Sequence, residues 1–339
     1  MDRSPSHLFL ASRDARSLTL DGIPTELTIE LTSRCQLACV TCPRETLFKD
    51  LVHNREMSWD LYERLARDYV PHLSYLSLAG GLGEPLLYSR FADAARLARS
   101  LNPGLWMSIT TNGLLPRTVR TLTPLAPLFT VVTLSMDAVG ERFDRIVGQA
   151  DAFPVFERTA RQLIPMMADA GGVLWFNSVV TPDTIDVLDR VVTEIGAWGG
   201  TYLYLNGMNH VVTGRGAAEY DFYLSPSYRE RMSELVAIGT AAGVKVEWAD
   251  MSTLKGFSSC KAPWNNFYIG WDGVLAACCA KPFPELLNFG HVGDGGLTER
   301  INDPGLVEFR RLSILNESPA FCDNCAVQHK PGARPKGAA

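Results

Sequence analysis

Apolar positions recur along this chain in two rhythms. Between residues 25 and 208, short apolar runs rich in β-branched residues alternate with longer stretches of helical spacing, the pattern of βα units repeated around a parallel sheet. The short runs predict six strands, over 25–33, 73–79, 105–111, 129–137, 172–180 and 201–208. Helical spacing over 58–69, 90–101 and 184–198 predicts helices between them, the first opening on Ser58 as N-cap. Six units fall short of the eight that close a barrel. The expected fold class is therefore α/β, a partial (β/α)6 TIM-like barrel whose site lies in loops at the C-terminal strand ends.

A different pattern follows a further predicted helix over 226–242. Residues 264–271, the turn Asp272-Gly273 and residues 274–277 read as a β-hairpin. The expected division is an N-terminal extension over 1–24, the barrel over 25–245, a small C-terminal domain of hairpin plus helix over 246–330, and a disordered tail over 331–339.

Composition narrows the function. At 339 residues and 46% hydrophobic, the chain can bury one full α/β core and a smaller appendage. A net charge of −5 supplies no cationic footprint for nucleic acid, so a small-molecule substrate is expected. The apolar patch Leu8-Phe9-Leu10-Ala11 is too short for a signal sequence or a membrane span, which predicts a cytoplasmic protein with no membrane partner. Eight cysteines among reduced thiols then point to metal or cluster ligation before disulfides.

Three of them, Cys35-x-x-x-Cys39-x-x-Cys42, fall in the loop after the first predicted strand, where a βα barrel places its active site. A cubane cluster takes four ligands, so three thiolates leave one iron open to a substrate or cofactor. Three of the four ligands of a structural zinc, or unrelated buried thiols, are the competing readings. In spacing and position the triplet resembles the signature of the radical S-adenosylmethionine (SAM) superfamily. The resemblance implies a 4Fe-4S cluster on Cys35, Cys39 and Cys42, SAM chelating the open iron, and reductive cleavage to a 5'-deoxyadenosyl radical that abstracts a substrate hydrogen. It also implies a flavodoxin or ferredoxin-type electron donor.

Other segments are similar to the same family. Gly80-Gly81-Leu82-Gly83-Glu84-Pro85, after the second strand, resembles the glycine-rich segment that binds SAM's methionyl amino group, which implies Gly81, Gly83 and Glu84 as cofactor-binding residues. Glycine lets a backbone approach a ligand closely, and a carboxylate at Glu84 can pair with an ammonium or fix the loop. Ser135 and Asp137, closing the fourth strand, resemble the family's Ser-x-Asp element, and Asn177 on the fifth is similarly placed for polar contact with SAM. Strand-end capping is the alternative for all three. Two positions depart from the pattern. Thr41 stands where many relatives have an aromatic residue against adenine, and Val147 where many have an arginine, with Arg142 and Arg145 as nearby substitutes.

The C-terminal cysteines read Cys260, the pair Cys278-Cys279, and Cys322-Asp323-Asn324-Cys325. They resemble the twitch domain, a shortened SPASM extension holding one auxiliary 4Fe-4S cluster, which implies Cys260, Cys278, Cys322 and Cys325 as ligands. A four-thiolate zinc site is the alternative. Adjacent strand residues point to opposite faces, so Cys278 and Cys279 are not expected to reach one metal centre together. By size and cysteine layout the chain is similar to the butirosin-pathway aminocyclitol dehydrogenase group. That implies a sugar, aminocyclitol or nucleoside substrate and alcohol oxidation, with epimerisation or carbon–carbon bond formation as alternatives. Tyr202, Tyr204, Asn206 and His210, at the sixth strand, are candidate substrate-facing residues by position. From another class, a non-catalytic iron–sulfur or zinc protein also fits the cysteines.

Overall fold

A computed structural model of the chain describes residues 4–45, 53–78, 81–207, 220–253, 256–265, 267–278, 287–322 and 325. The described elements begin with α1 (Pro5–Asp14), β1 (Glu26–Ile29), α2 (Trp59–Tyr69), β2 (Tyr75–Ser77), α3 (Phe91–Leu101) and β3 (Trp106–Thr111). They continue with α4 (Thr118–Leu122), β4 (Val131–Ser135), α5 (Gly140–Val147), α6 (Ala152–Asp169), β5 (Val173–Val180), α7 (Leu188–Ala197), β6 (Tyr202–Gly207) and α8 (Tyr220–Leu224). Last come α9 (Pro226–Ala242), β7 (Lys245–Trp248), α10 (Ala262–Asn265), β8 (Tyr268–Ile269), β9 (Leu275–Ala276), α11 (Leu297–Arg300) and α12 (Pro304–Leu315). The fold is mixed α/β with a parallel sheet, as the βα rhythm predicts.

Two compact units divide the chain. One comprises Met1–Cys35, Asp50–Ile109 and Lys255–Asp323; the other comprises Gln36–Lys49, Thr110–Leu254 and Asn324–Ala339.

In the first unit β1 pairs in parallel with β2 (Leu27↔Leu76), β2 with β3 (Leu76↔Met107), and β1 on its other side with β8 (Thr28↔Tyr268). The strand β9 turns back antiparallel on β8. Parallel strands buried on both faces read as near-continuous apolar runs, and Leu27, Ile29, Leu76 and Ile109 are all almost fully buried. Helix α2 starts where expected, with the Ser58 hydroxyl accepting from Leu61 N at 3.3 Å. The buried Arg310 of α12 donates to the carbonyls of Pro263, Leu18 and Ile301 at 3.0, 2.9 and 2.7 Å. One guanidinium thus ties the C-terminal helix to the N-terminal segment, whose Ser17 carbonyl also accepts from the Trp264 indole at 2.9 Å.

In the second unit β4, β5, β6 and β7 form a parallel sheet with registers Leu134↔Phe176, Phe176↔Leu203 and Leu203↔Val246. Strand residues alternate between faces. Leu134, Phe176, Leu203 and Leu205 are buried on one face, while Thr133, Ser135, Trp175, Asn177, Tyr204 and Asn206 are half-buried on the other.

Several expectations change in detail. The parallel strand β7 was not anticipated, because Lys245 and Glu247 interrupt its apolar run. Trp264 lies in the helical turn α10, not in a strand, and the hairpin strands β8 and β9 are two residues each. Residue 208, His210 and Cys279 lie outside the described residues.

Candidate functional site

The second unit carries Cys39 and Cys42. Cys42 N donates to Cys39 O at 3.0 Å and Glu45 N to Cys42 O at 3.1 Å, so the two thiols share one tight turn. Both are half-buried. The turn is anchored by Val40 N donating to Ile146 O at 2.9 Å, just before Gly148 caps α5 in the left-handed region at φ 70°. A Cβ on Gly148 would lie 3.1 Å from Ala38 O, so its lack of a side chain suits both the backbone turn and the close approach of the cysteine loop. Two thiols on one compact turn fit thiolate ligation of an iron–sulfur cluster. Beside the turn is a cavity of about 500 Å³ lined by Thr41, Arg142, Arg145, Thr181, Thr184 and Asp186 among others. Arg142 is ion-paired with Asp186 and donates to Asp183 O at 3.0 Å. Arg145 is largely exposed, 4.0 Å from Glu141.

The strand ends β4 to β6 of the same unit bring the next residues together. Ser135 is level with Asn177, and Val179 with Asn206. The Asn177 side-chain carbonyl accepts from the Asn206 amide, a partner that strand-end position alone does not reveal. Asp137 Oδ1 accepts from Val179 N at 2.8 Å, which stitches the β4 end to β5. Burial pushes its carboxyl up to about 6, against the lowering effect of that hydrogen bond.

The glycine-rich segment belongs to the first unit. A Cβ on Gly83 would sit 1.9 Å from Thr32 O, so here glycine is required for backbone packing on the end of β1. Glu84 is 2% exposed. Its N–H donates to Arg34 O at 2.8 Å, and its Oε1 accepts from Leu86 N at 3.2 Å. These bonds make Glu84 the cap of the turn Pro85–Leu87.

Sequence reading passed over Glu30. It is 1% exposed at the end of β1. Oε1 accepts from Leu82 N at 3.2 Å, and the carboxyl also accepts from the Tyr268 hydroxyl and from Trp271 N. Tyr268 in turn accepts from Gly81 N at 3.1 Å. Desolvation raises the carboxyl to about 7, with the three donors opposing that rise and Asp272 adding to it. The overlooked signal was a carboxylate inside an otherwise apolar strand, Leu27-Thr28-Ile29-Glu30-Leu31.

Cys35, Cys260, Cys278 and Cys322 belong to the first unit and Cys325 to the second; all five are half-buried. Cys260 follows a short turn, its N–H donating to Phe257 O at 3.0 Å, and Cys322 N donates to Pro319 O at 2.9 Å. Among the described residues no three His, Cys, Asp or Glu side chains already converge on a metal-ion position. The ligand sets therefore rest on the residue pattern and the donor chemistry. Also among the described residues, no helix is long and apolar enough to cross a membrane.

Comparison with known proteins agrees with this chemistry. Residues 29–191 match the Radical SAM superfamily, and residues 260–326 match SPASM, an iron–sulfur cluster-binding domain. Among curated proteins, the chain is similar to GTP 3',8-cyclase of Mycobacterium sp. (strain KMS), 32% identical over 96 residues, which are 28% of this chain and 27% of that protein. It is also similar to the tungsten-containing aldehyde ferredoxin oxidoreductase cofactor-modifying protein of Pyrococcus furiosus, 36% identical over 118 residues, 33% of this chain and 31% of that protein. The chain thus spans less than a third of the length of either relative. Among solved structures, Streptococcus suis SuiB bound to precursor peptide SuiA matches with a TM-score of 0.66 at 16% identity, over 94% of this chain and 73% of that one. BtrN in complex with AdoMet and 2-DOIA matches with a TM-score of 0.55 at 15% identity, over 91% and 93%. At such identities these two likenesses speak for the fold, a TIM-like partial barrel. The chain accordingly combines a radical SAM domain, which works with a 4Fe-4S cluster and SAM, and a SPASM-type domain, which holds an auxiliary iron–sulfur cluster.

Proposed function

We propose that this chain cleaves SAM reductively and uses the resulting 5'-deoxyadenosyl radical to abstract hydrogen from a small hydroxylated substrate, a sugar, aminocyclitol or nucleoside, in an alcohol oxidation. Cys35, Cys39 and Cys42 would hold the catalytic cluster in the barrel, 25–245, and Cys260, Cys278, Cys322 and Cys325 the auxiliary one in the small domain, 246–330. When bound, the two clusters supply an electron for SAM cleavage and an acceptor for the electron left on the substrate.

One observation carries the substrate class: the half-buried polar face formed by Ser135, Asn177, Tyr204 and Asn206 on neighbouring strands. Amides and hydroxyls held in fixed register accept and donate to hydroxyl groups, and Asn177 and Asn206 already orient one another. Ser135 and Asn177 would meet SAM, with Asp137 holding their strand ends in place, while Tyr204 and Asn206 would meet the substrate. Gly81, Gly83 and Glu84 would form the methionyl side of the cofactor site. The likeness to BtrN, crystallised with AdoMet and 2-DOIA, supports this reading. A second reading, bond formation on a nucleoside, is favoured by the local likeness to GTP 3',8-cyclase.

Mass analysis of the anaerobically reconstituted protein with dithionite, SAM and candidate sugars, aminocyclitols and nucleosides tests the proposal. Oxidation gives 5'-deoxyadenosine together with a product lacking two hydrogens. A product of unchanged mass in H2O that gains one mass unit in D2O indicates epimerisation, and an isomeric cyclised or coupled product indicates carbon–carbon bond formation. Absence of 5'-deoxyadenosine with functional clusters present defeats the proposal.

A further inference from the structure

The glycine-rich segment ends its strand in a network that reaches the C-terminal hairpin. Gly81 N donates to the Tyr268 hydroxyl at 3.1 Å and Leu82 N to Glu30 Oε1 at 3.2 Å, while Tyr268 donates onward to Glu30. Tyr268 sits in β8, which pairs directly with the strand that ends in Glu30, through Thr28↔Tyr268 and Ile29↔Ile269. The Trp271 N–H, at the hairpin turn, closes the same carboxyl from a third side. Glu30 and Tyr268 are each 1% exposed, so water does not substitute readily for a lost partner.

We propose that Glu30 is a positioning residue for SAM: with Tyr268 it holds the 81–84 segment in its cofactor-binding shape by anchoring it to the C-terminal hairpin, so that the state of the hairpin is felt at SAM. The inference rests on the assignment of that segment to the methionyl end of SAM. The physical basis is donor geometry. Two backbone N–H groups and a phenol O–H converge on one carboxylate, and an ionised carboxylate is a side chain that accepts all three without presenting a donor in return. A glutamine in its place turns an NH2 toward those donors and frees the segment, although its size is unchanged. Because desolvation places the Glu30 carboxyl at about 7, protonation has the same effect as the amide at mildly acid pH. The other groups that bear on it are Tyr268 from β8 and Asp272 from the hairpin turn, with Glu84 as the second buried carboxyl of the segment.

The test uses the full chain with both clusters reconstituted: wild type, Glu30→Gln, Tyr268→Phe and the double variant. SAM dissociation constants are measured by anaerobic equilibrium dialysis from pH 6 to 8.5, with iron per chain and melting temperature beside them. Glu30→Gln is expected to weaken SAM binding about tenfold or more and Tyr268→Phe about threefold to fivefold. The double variant should be no weaker than Glu30→Gln by more than about twofold, because both residues act through one network. Iron content should match wild type in all four. Wild-type affinity should fall as pH drops through about 7, and this dependence should vanish in Glu30→Gln. Wild-type SAM affinity in both single variants overturns the inference while leaving the cofactor reading intact. A wild-type chain that assembles both clusters yet binds no SAM overturns that reading and the inference with it. If Glu30→Gln fails to fold, Tyr268→Phe decides, and unchanged SAM affinity there overturns the inference.

Discussion

The two polar regions proposed to meet SAM and the substrate are built in opposite ways. The 81–84 segment is wired into the interior: Gly83 packs on the Thr32 carbonyl, and Glu84 and Glu30 are almost fully buried with backbone N–H groups turned onto their carboxylates. The ends of β4 to β6 present half-buried side chains from one sheet face, joined across strands as in the Asn177–Asn206 pair. Backbone wired to buried carboxylates has one shape, whereas side chains on a strand face can change identity without moving the strand. The first construction suits one fixed cofactor group, and the second lets polar side chains be chosen to suit the ligand groups they meet.

Losing the catalytic cluster should have the largest effect, since both regions serve a cofactor only if the cysteine triplet does. Replacing Cys35, Cys39 and Cys42 together by Ala should abolish 5'-deoxyadenosine formation and leave about half of the iron; continued SAM cleavage by the triple variant would break the comparison at its root. Next, β9 ends at Ala276, so strand alternation does not reach Cys278 and iron content decides the register: Cys278→Ala should lose the auxiliary cluster, again about half of the iron, whereas Cys279→Ala should keep both clusters. Iron and sulfide analysis that returns the reverse pattern would shift the ligand register by one residue.

A paired substitution probes the contrast between the wired segment and the strand face directly. Gly83→Ala forces a Cβ against Thr32 O and is expected to cost about 1–3 kcal/mol of stability with weakened SAM binding. Ser135→Ala, on the half-buried strand face, should alter stability by about 0.5 kcal/mol or less and register only in SAM affinity. Equal destabilisation in urea unfolding would erase the distinction.

The smallest effect concerns Asp137. Its carboxyl titrates at about 6 when folded, above its ordinary 3.8, so the folded state binds that proton more tightly than the unfolded chain. Stability contributed by the protonated form is therefore present below about 4 and lost as pH rises through about 6. Asp137→Asn keeps an acceptor for Val179 N–H and removes the charge, and should raise the melting temperature at pH 7.5, with the gain disappearing toward pH 4. A gain that persists unchanged at pH 4 would mean that packing, and not burial of charge, sets this site.

Much of the architecture is legible along the chain because its signals are local. Strand and helix periods placed β1 to β6, and Ser58 before Trp59 announced the start of α2 with its capping hydroxyl in place. Where the local signal is weak the reading failed. β7 is four residues with Lys245 and Glu247 at alternate positions, and Trp264, placed in a strand by its apolar run, is held in a helical turn with its indole donating to Ser17 O. The helix α1 went unread, and its place is decided by partners far along the sequence, such as Phe267 against Phe9.

The sequence by itself carried the resemblance: cysteine spacing, the glycine-rich segment and the order of βα units are covalent facts that point to an iron–sulfur cluster and a cofactor class before any folding. Only the tertiary structure decided what those residues do to one another. That Gly83 is required by a carbonyl just beyond β1, that Asn177 is oriented by Asn206, and that Glu30 gathers donors from the glycine-rich segment and from a hairpin about 240 residues away follow from the parallel pairing of β1 with β2 and β8 and of β5 with β6. Such pairing joins segments by register and not by sequence distance, so no local pattern can announce it.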